Sequence, residues 1–203
     1  MPGRRIRIRR SLCSDDASGR LHSPKMSELV VREFAEWARS QGLGAARAEL
    51  RVERLGIPHA PTSLPPGWQG VYSFKYQEVW LKVGKAGPKS GARWTSQHYH
   101  PGRAQSTLAF SLLRYGHFSD VNFEEVPSLR AALQNVGADE LGDWIKKNTE
   151  RTNFLIRSEL ASAGLDRLER IALRILKPIF EGNWDPAGWK VIRRLTGSRV
   201  DTA

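Results

Sequence analysis

The hydrophobic pattern of this 203-residue chain changes its period near residue 68, and this change constrains the fold more than any other feature. Before the change, large apolar residues recur at helical spacing, from Val30 through Phe34 to Trp37. After it, residues 70–76 are rich in Val, Tyr and Phe, which favour extended backbone, and residues 78–83 suit a hairpin partner. The chain is therefore predicted to combine helices with a sheet.

The N-terminal part is predicted to be a basic tail followed by two helices. Residues 1–25 carry six arginines and one lysine against two aspartates, with too few large apolar side chains to offset the entropy of ordering, so we expect disorder. Ser27 is suited to cap a first helix that ends near Gly42, and residues 45–55 suit a second helix. Such a pair is compatible with helix-turn-helix DNA binding, or with a helical hairpin that packs on the main domain.

A proline-rich loop at residues 56–67 separates this extension, residues 26–67, from a predicted domain at residues 68–190. Within that domain we expect helices at 103–113 and 139–147, a third strand at 153–156, and an amphipathic helix at 165–176 that Pro178 ends. Residues 191–203 are expected to be a basic C-terminal tail. The predicted fold class is α+β, with a short three-stranded antiparallel sheet flanked by helices.

Charge and cysteine usage narrow the class of protein. The net charge is +11 and the sequence pI is about 10.3, which favours a polyanionic partner, most often nucleic acid. Cys13 is the only cysteine, so neither an intrachain disulfide nor a cysteine-rich zinc site can form. No apolar stretch approaches the roughly 20 residues that span a bilayer, and the basic start precedes no signal-peptide core. We therefore expect a cytoplasmic protein without a membrane partner.

One ordered set of residues is more specific than any of these features. A tyrosine lies on the first predicted strand, a Gly-Lys pair follows the second, an arginine opens the next helix, and a glutamate lies on a late helix before Pro and Asn. The set is Gly70, Tyr72, Lys82, Gly84, Lys85, Arg93, Glu169 and Asn183. It resembles the GIY-YIG nuclease family over residues 70–183. Lys82 stands where the family's second motif usually has tyrosine, as in a restriction-endonuclease branch, and residues 84–99 are similar to uncharacterised bacterial members.

The resemblance implies a small nuclease domain that hydrolyses phosphodiesters with Mg²⁺ or Mn²⁺. It implies that Glu169 binds the metal, since a lone carboxylate can hold such a cation while water and phosphate complete its shell. On spacing alone, an ion pair of Glu169 with Arg170, Arg174 or another surface cation is the favoured interpretation. Arg93 is expected to hold the phosphate bidentately and to stabilise the transition state. An exposed arginine at a helix start is the alternative.

Tyr72 is the candidate for accepting the proton of the attacking water, or for orienting that water. A free phenol has a pKa near ~10, too high for an effective base at neutral pH, and nearby cations lower it. Lys82 and Lys85 are predicted to supply that charge, and a desolvated Lys82 can itself act as base. The alternative for Tyr72 is a packing aromatic across the strands.

His98 is a further candidate, as general base or hydrogen-bond donor, while Gly70, Gly84 and Asn183 are expected to support the site. Residues 84–90 resemble a phosphate loop in composition but lack its spacing, so we predict no nucleotide triphosphatase. Phosphate-backbone contacts are expected from a group of cations, each of which also suits a solvated surface charge. These are Lys89, Arg103, Lys146, Lys147 and Arg151.

The predicted function is therefore a metal-dependent DNA endonuclease, in restriction, phage defence, repair or mobile-element cutting. Two alternatives stay open: a catalytically weak nucleic-acid-binding module of the same fold, and an RNA-directed nuclease. A homodimer or an accessory protein is compatible with a chain this short.

Overall fold

The structure is a computed structural model that describes residues 23–44, 49–102, 107–117 and 125–181. Within these ranges the chain combines helices with one antiparallel sheet and is α+β, as predicted. The elements in chain order are α1 (Ser23–Ser40), β1 (Leu50–Leu55), β2 (Trp68–Tyr76), β3 (Val79–Ala86), α2 (Gly91–Thr95), a 3₁₀ turn (Gln97–Tyr99), α3 (Leu108–His117), α4 (Pro127–Leu133), α5 (Leu141–Asn148), β4 (Glu150–Arg157), a second 3₁₀ turn (Ser158–Leu160) and α6 (Ala161–Leu176).

The strands form one antiparallel sheet in the order β1-β4-β2-β3. β2 and β3 are the predicted hairpin, and β4 is the predicted third strand, inserted between β2 and β1. Tyr72 in the middle of β2 pairs with Gly84 on one side and with Asn153 on the other. The sheet has four strands among the described residues where three were predicted, and β1 is the additional one.

The prediction of a helix over residues 45–55 is wrong for its second half, which is β1, while residues 45–48 lie outside the described ranges. Leu50 and Val52, two residues apart and hence on the same face of the strand, pack against an apolar cluster, whereas Arg51 between them is exposed on the other face. Pairing with β4 overrides the weak helix preference of Leu, Arg and Glu. Both interpretations of a helix pair, helix-turn-helix and helical hairpin, fail with it.

The end of α1 lies where the glycines predicted it. Gly42 has a φ of 66°, in the left-handed region that favours glycine. Its N–H donates to the carbonyl of Arg39 at 3.0 Å, and the N–H of Leu43 donates to that of Ala38 at 3.1 Å. This pair of bonds is the Schellman arrangement that satisfies the last carbonyls of a helix.

The start of α1 differs from the prediction. The helix begins at Ser23, so Ser27 lies buried inside it and is not its N-cap. Pro24 stands in the first turn, where backbone N–H groups have no partner within the helix, so the N–H that proline lacks is not needed. The disordered tail predicted for residues 1–25 falls almost entirely outside the described ranges.

The two faces of the sheet carry separate apolar clusters, because alternate residues of a strand point to opposite sides. Tyr72 and Phe74 face one cluster, which also contains buried residues of α2 to α5. Val71 and Phe154 face the other, together with Phe34 of α1 and the apolar stripe of α6. The predicted extension and the predicted domain therefore share one sheet and one of its packed faces.

The remaining predicted elements are present with shifted bounds. α5 and α6 occupy the segments predicted to be helical, and α6 ends at Lys177, in left-handed conformation with a φ of 48°, just before Pro178. The helix predicted at 103–113 is found as α3, which begins at Leu108. Residues 103–106 lie outside the described ranges. β3 continues to Ala86, so the predicted loop over 84–91 is shorter than expected. No helix in the described ranges is long and apolar enough to cross a bilayer.

The chain that follows α6 covers the free edge of β3. The N–H groups of Ile179 and Phe180 donate to carbonyl oxygens of β3 at 3.0 Å each. The side chain of Glu181 accepts the N–H of Val83 at 3.0 Å. This segment satisfies backbone groups that an edge strand otherwise leaves open, and it brings Glu181 to the side of the hairpin.

Candidate active site

The phenolic oxygen of Tyr72 is the centre of a hydrogen-bonded cluster on β2. Arg93 Nε, from α2, donates to Tyr72 Oη at 3.2 Å. His98 Nε2, from the 3₁₀ turn that follows, lies 2.5 Å from the same oxygen. Three of the residues predicted for the site therefore meet at one atom.

His98 contributes a proton donor to this cluster. Its Nδ1 accepts the backbone N–H of Leu108 at 3.2 Å, so Nδ1 carries no proton and Nε2–H points at Tyr72. Burial lowers the pKa of His98 well below its ordinary 6.5, which keeps the ring neutral. Of the two roles predicted for His98, the geometry favours the hydrogen-bond donor, since both ring nitrogens are already engaged.

Arg93 contacts the buried phenolic oxygen from an exposed position. Tyr72 exposes no surface, whereas Arg93 is exposed at the start of a short helix. Only Nε of Arg93 has a partner among the described residues, which leaves both terminal nitrogens of the guanidinium available. The arginine therefore touches Tyr72 with one edge and faces solvent with its bidentate fork.

Burial and charge act against each other on Tyr72. Burial raises its pKa above the ordinary 10, and the charges of Arg93 and Arg151 oppose this effect only in part. The prediction named Lys82 and Lys85 as the cations that assist Tyr72; the structure gives that position to two arginines. At neutral pH the phenol is therefore protonated in the free protein.

Lys82 lies in a buried pocket made by the segment after α6. Its Nζ donates to the carbonyl of Phe180 at 3.5 Å and lies 3.9 Å from Glu181 Oε1. Burial lowers the pKa of Lys82, while the charge of Glu181 opposes that shift. This desolvation is the condition under which the sequence predicted that Lys82 can act as a base.

Glu169 lies on α6 and shares a cation with its neighbour one turn earlier. Lys85 Nζ lies 2.7 Å from Glu169 Oε2 and 2.7 Å from Asp166 Oδ1. Hydrogen bonds to Asp166 and then Glu169 raise the pKa of Lys85. Both interpretations of Glu169 keep support, because it forms an ion pair and still lies near the tyrosine cluster. Burial dominates the pKa shifts of Tyr72 and Lys82, and the Glu169 charge contributes to both.

Two glycines, Gly84 and Gly70, allow this packing. A Cβ on Gly84 would lie 2.7 Å from the ring atom Cζ of Tyr72, so the phenol crosses β3 directly over this glycine. A Cβ on Gly70 would lie 3.0 Å from Trp94 of α2, which rests against β2 there. Gly84 places the phenolic oxygen at the sheet edge, and Gly70 places the helix that carries Arg93.

We expect Gly84→Ala to displace the Tyr72 ring and to lower the free energy of unfolding by about 1–3 kcal/mol, the usual range for overpacking. Urea denaturation followed by circular dichroism measures this change. Gly87→Ala is the matched control, since nothing lies within 4 Å of a Cβ at that position. Equal stability of the two variants would contradict the close contact between Gly84 and Tyr72.

The cations predicted to bind a phosphate backbone have different environments. Lys89 and Lys147 are exposed, and Lys89 lies in the loop that leads to α2. Lys146 is half-buried, pairs with Asp143 at 3.2 Å and lies 5.7 Å from the centre of the Tyr99 ring. Arg103 lies outside the described ranges.

Arg151 is buried beneath the cluster and offers nothing to a polyanion at the surface. Its predicted phosphate contact therefore does not fit its position. The default expectation for an arginine is a solvated side chain, and the run of polar residues around Arg151 gives no sign of burial.

Glu181 is the residue at this site that the sequence did not indicate. Burial raises its pKa, and the opposing charge of Lys82 is the next largest influence. It stands in an irregular segment after Pro178, where no periodicity marks a buried side chain. Asn183, predicted to support the site, lies two residues further on and outside the described ranges.

The oxygen donors present fit a hard divalent cation. Glu169 provides one carboxylate, and its charge adds to burial, the largest cause, in raising the pKa of Glu181 against the opposing charge of Lys82. Mg²⁺ is commonly bound through one or two carboxylates together with water and phosphate oxygens. No group of three or more His, Cys, Asp and Glu side chains gathers in the part of the chain that the structure describes.

Comparisons of the chain with protein-family models, with curated proteins and with solved structures gave no match. Function is therefore inferred from the ordered motif residues and from the geometry of this cluster.

Proposed function

We propose that this protein is an endonuclease that hydrolyses phosphodiester bonds in DNA with the aid of Mg²⁺ or Mn²⁺. The observation that carries the proposal is the convergence of Arg93 and His98 on the phenolic oxygen of Tyr72, with Glu169 within electrostatic range. These side chains stand, with the exception of His98, at the positions where the motif resembles the GIY-YIG nucleases.

Tyr72 accepts the proton of the attacking water. As the water oxygen bonds to phosphorus, the bond between phosphorus and the leaving oxygen breaks, and the proton of the water passes to the phenolate oxygen of Tyr72. Two N–H donors already point at that oxygen, and such donors stabilise an oxyanion more than a neutral hydroxyl. The raised pKa of Tyr72, caused by burial, makes the anionic form scarce at neutral pH and a strong base where it exists.

Arg93 binds the phosphate that is cleaved. Its terminal nitrogens are available among the described residues and can donate two parallel hydrogen bonds to phosphate oxygens. Tyr72 exposes no surface, so in this proposal the attacking water reaches the phenolic oxygen when the guanidinium of Arg93, which contacts that oxygen, moves towards the phosphate. Substrate binding and exposure of the base are thereby linked in one side chain.

Glu169 is the metal ligand in this proposal. When bound, the cation supplies charge stabilisation at the leaving oxygen. Lys85 has a second acceptor in Asp166, so it keeps one ion pair when the Glu169 carboxylate turns away from it. Exposed cations near the site, such as Lys89, and the net charge of +11 favour a polyanionic substrate over a small phosphodiester.

The test is incubation of the purified protein with supercoiled plasmid and Mg²⁺, followed by gel electrophoresis. We expect nicked and linear products that vanish with EDTA and return when Mg²⁺ or Mn²⁺ is restored. Parallel reactions with a single-stranded and a duplex RNA of the same sequence separate DNA from RNA cleavage. Retained, salt-sensitive DNA binding without products under any divalent-metal condition would overturn the enzymatic proposal.

One observation favours the second candidate, a binding module without catalysis. Lys85 neutralises Glu169 at 2.7 Å, and a cation has to compete with that ion pair. The plasmid reaction distinguishes the two candidates, because the binding module gives a mobility shift and no cleavage.

A further inference from the structure

An arginine lies in the interior directly behind the tyrosine cluster. Arg151 is 1% exposed, and its guanidinium carbon lies 5.3 Å from the centre of the Tyr72 ring. The same carbon lies 5.4 Å from the ring centre of Phe74 and 4.9 Å from that of Trp94. A full positive charge therefore occupies a space walled by three aromatic faces, which attract cations electrostatically.

Neutral groups hold this charge in place. Arg151 Nε donates to Asn153 Oδ1 at 2.9 Å, and Nη1 donates to Tyr99 Oη at 3.2 Å. Nη2 is buried without a hydrogen-bond partner. Within the described parts of the chain no carboxylate contacts the guanidinium; Glu53 reaches it only through Asn153 Nδ2, at 3.2 Å.

The hydrogen-bonding groups on the far side of Arg151, Tyr99 and His59, are neutral, and Lys146 lies 5.7 Å from the centre of the Tyr99 ring. His59 Nδ1 donates to the carbonyl of Thr149 at 2.7 Å, so its Nε2 accepts the hydroxyl of Tyr99 at 3.0 Å. Burial lowers the pKa of His59 to about 4 and raises the pKa of Tyr99, so both are neutral near pH 7. Among the described residues that hydrogen-bond directly to Arg151, namely Asn153 and Tyr99, neither carries an opposite charge.

A buried charge in such surroundings lowers the free energy of unfolding. A buried charge is normally paired with an opposite charge, and a buried unpartnered donor lowers stability in its own right. An apolar side chain could fill the same space between three aromatic rings. The retained charge is therefore expected to act on another group, and the nearest ionisable group of the proposed site is Tyr72.

We propose that Arg151 is a positioning residue whose buried charge favours the anionic form of the Tyr72 hydroxyl. The catalytic consequence of this inference rests on the proposed function, whereas the effect on Tyr72 itself does not. Arg151 acts through space from behind the ring and never touches the substrate.

The charged groups around Tyr72 show why a second cation is needed. Arg93 approaches from α2, neutral His98 from the 3₁₀ turn, and Glu169 from α6, where its charge opposes ionisation of the phenol. Arg93 is exposed and is engaged by phosphate in the proposed reaction. Arg151 on β4 is fixed in the interior, so its effect persists while Arg93 moves.

Arg151 also keeps the other donor in the correct state. Burial lowers the pKa of His98, and the charges of Lys82 and Arg151 lower it further. A neutral His98 with its proton on Nε2 remains a donor to Tyr72 throughout the neutral pH range.

The experiment measures Tyr72 directly. The protein is produced with 3,5-difluorotyrosine in place of its four tyrosines, whose phenols then ionise at lower pH, and ¹⁹F NMR follows each signal during a pH titration. Tyr72→Phe identifies the signal of interest. Tyr115, which packs on Arg130 and Phe180, is the internal reference.

The variants separate charge from packing. Arg151→Met and Arg151→Gln are neutral, the second retaining hydrogen-bonding capacity in case the first does not fold, and Arg151→Lys keeps the charge. We expect both neutral variants to move the Tyr72 titration to higher pH, the lysine variant to stay near wild type, and Tyr115 to stay unchanged. Plasmid cleavage at pH 7 should fall roughly tenfold for each pH unit by which the Tyr72 midpoint moves.

The outcomes distinguish this inference from the proposed function. A Tyr72 signal that titrates at the same pH in wild type and in a folded neutral variant would overturn the inference, whatever the plasmid shows. An equal shift in Arg151→Lys and the neutral variants would overturn it as well. A charge-dependent shift in a protein that cleaves no nucleic acid supports the inference and removes only the proposed function.

Discussion

Plasmid cleavage by Glu169→Gln is expected to be lower than that of wild type by roughly 10³-fold, with DNA affinity nearly unchanged. Lewis-acid stabilisation of a phosphoryl transition state is worth several kcal/mol, and each ~1.4 kcal/mol corresponds to tenfold in rate. The amide matches the carboxylate in shape, so the helix packing should survive. Initial rates of nicking with Mg²⁺ in excess, together with fluorescence anisotropy of a labelled duplex, measure the two quantities.

Asp166→Asn is the matched control for this variant. Asp166 and Glu169 both lie 2.7 Å from Lys85 Nζ, one turn apart on α6, so both substitutions remove one ion pair from the same lysine. Of these two carboxylates, Glu169 is the one whose charge contributes to the pKa of Tyr72 and to that of Lys82. Equal loss of cleavage in both variants would indicate that the ion pairs of Lys85 matter and would remove Glu169 from its assigned role.

Tyr72→Phe is expected to slow cleavage by about 10²–10⁴-fold, the range of a general base, while the protein keeps its fold. The ring remains packed over Gly84, and only the oxygen that accepts from Arg93 and His98 is lost. Since burial raises the pKa of Tyr72, the active phenolate becomes more abundant as the pH increases. The wild-type rate should therefore rise between about pH 7 and 9, and the residual rate of the variant should lack that rise.

Tyr76→Phe provides the comparison, because Tyr76 is a buried tyrosine of the same strand that stacks on Trp144. Its substitution should leave both the rate and its pH dependence unchanged. A Tyr72→Phe protein with wild-type cleavage, or with an unchanged pH profile, would show that the phenol does not take the proton.

The hairpin and the late helix could be predicted because their signals are local. Val71, Tyr72 and Phe74 favour extended backbone by themselves, and the glycine at 42 stops α1 through its own conformation. β1 could not be predicted in this way. Its residues have no marked preference for strand, and the partner that makes them one, β4, lies about 100 residues further along the chain.

The same distinction between local signals and long-range contacts applies to the candidate site. The order of Tyr72, Arg93 and Glu169 is visible in the chain, and the structure brings these residues close to one another. The positions of Arg151 and Glu181 depend on which side chains close over them, and nothing in their neighbours distinguishes a buried cation or a half-buried carboxylate from a solvated one. The source of the charge near Tyr72 was accordingly predicted as lysine from β3, while the structure supplies arginine from α2 and β4.

Residues 179–181 form a strap along β3, and because they follow α6 in the chain, the site around Lys82 is completed late in synthesis. A nascent chain that has emerged only as far as Lys177 already contains β2, β3 and α6, and hence Tyr72, Arg93 and Glu169. It still lacks the carbonyl of Phe180 and the carboxylate of Glu181, which hold the Nζ of Lys82. The strap is thus the last described part of the site to leave the ribosome, so a chain interrupted before it carries Lys82 without its partners.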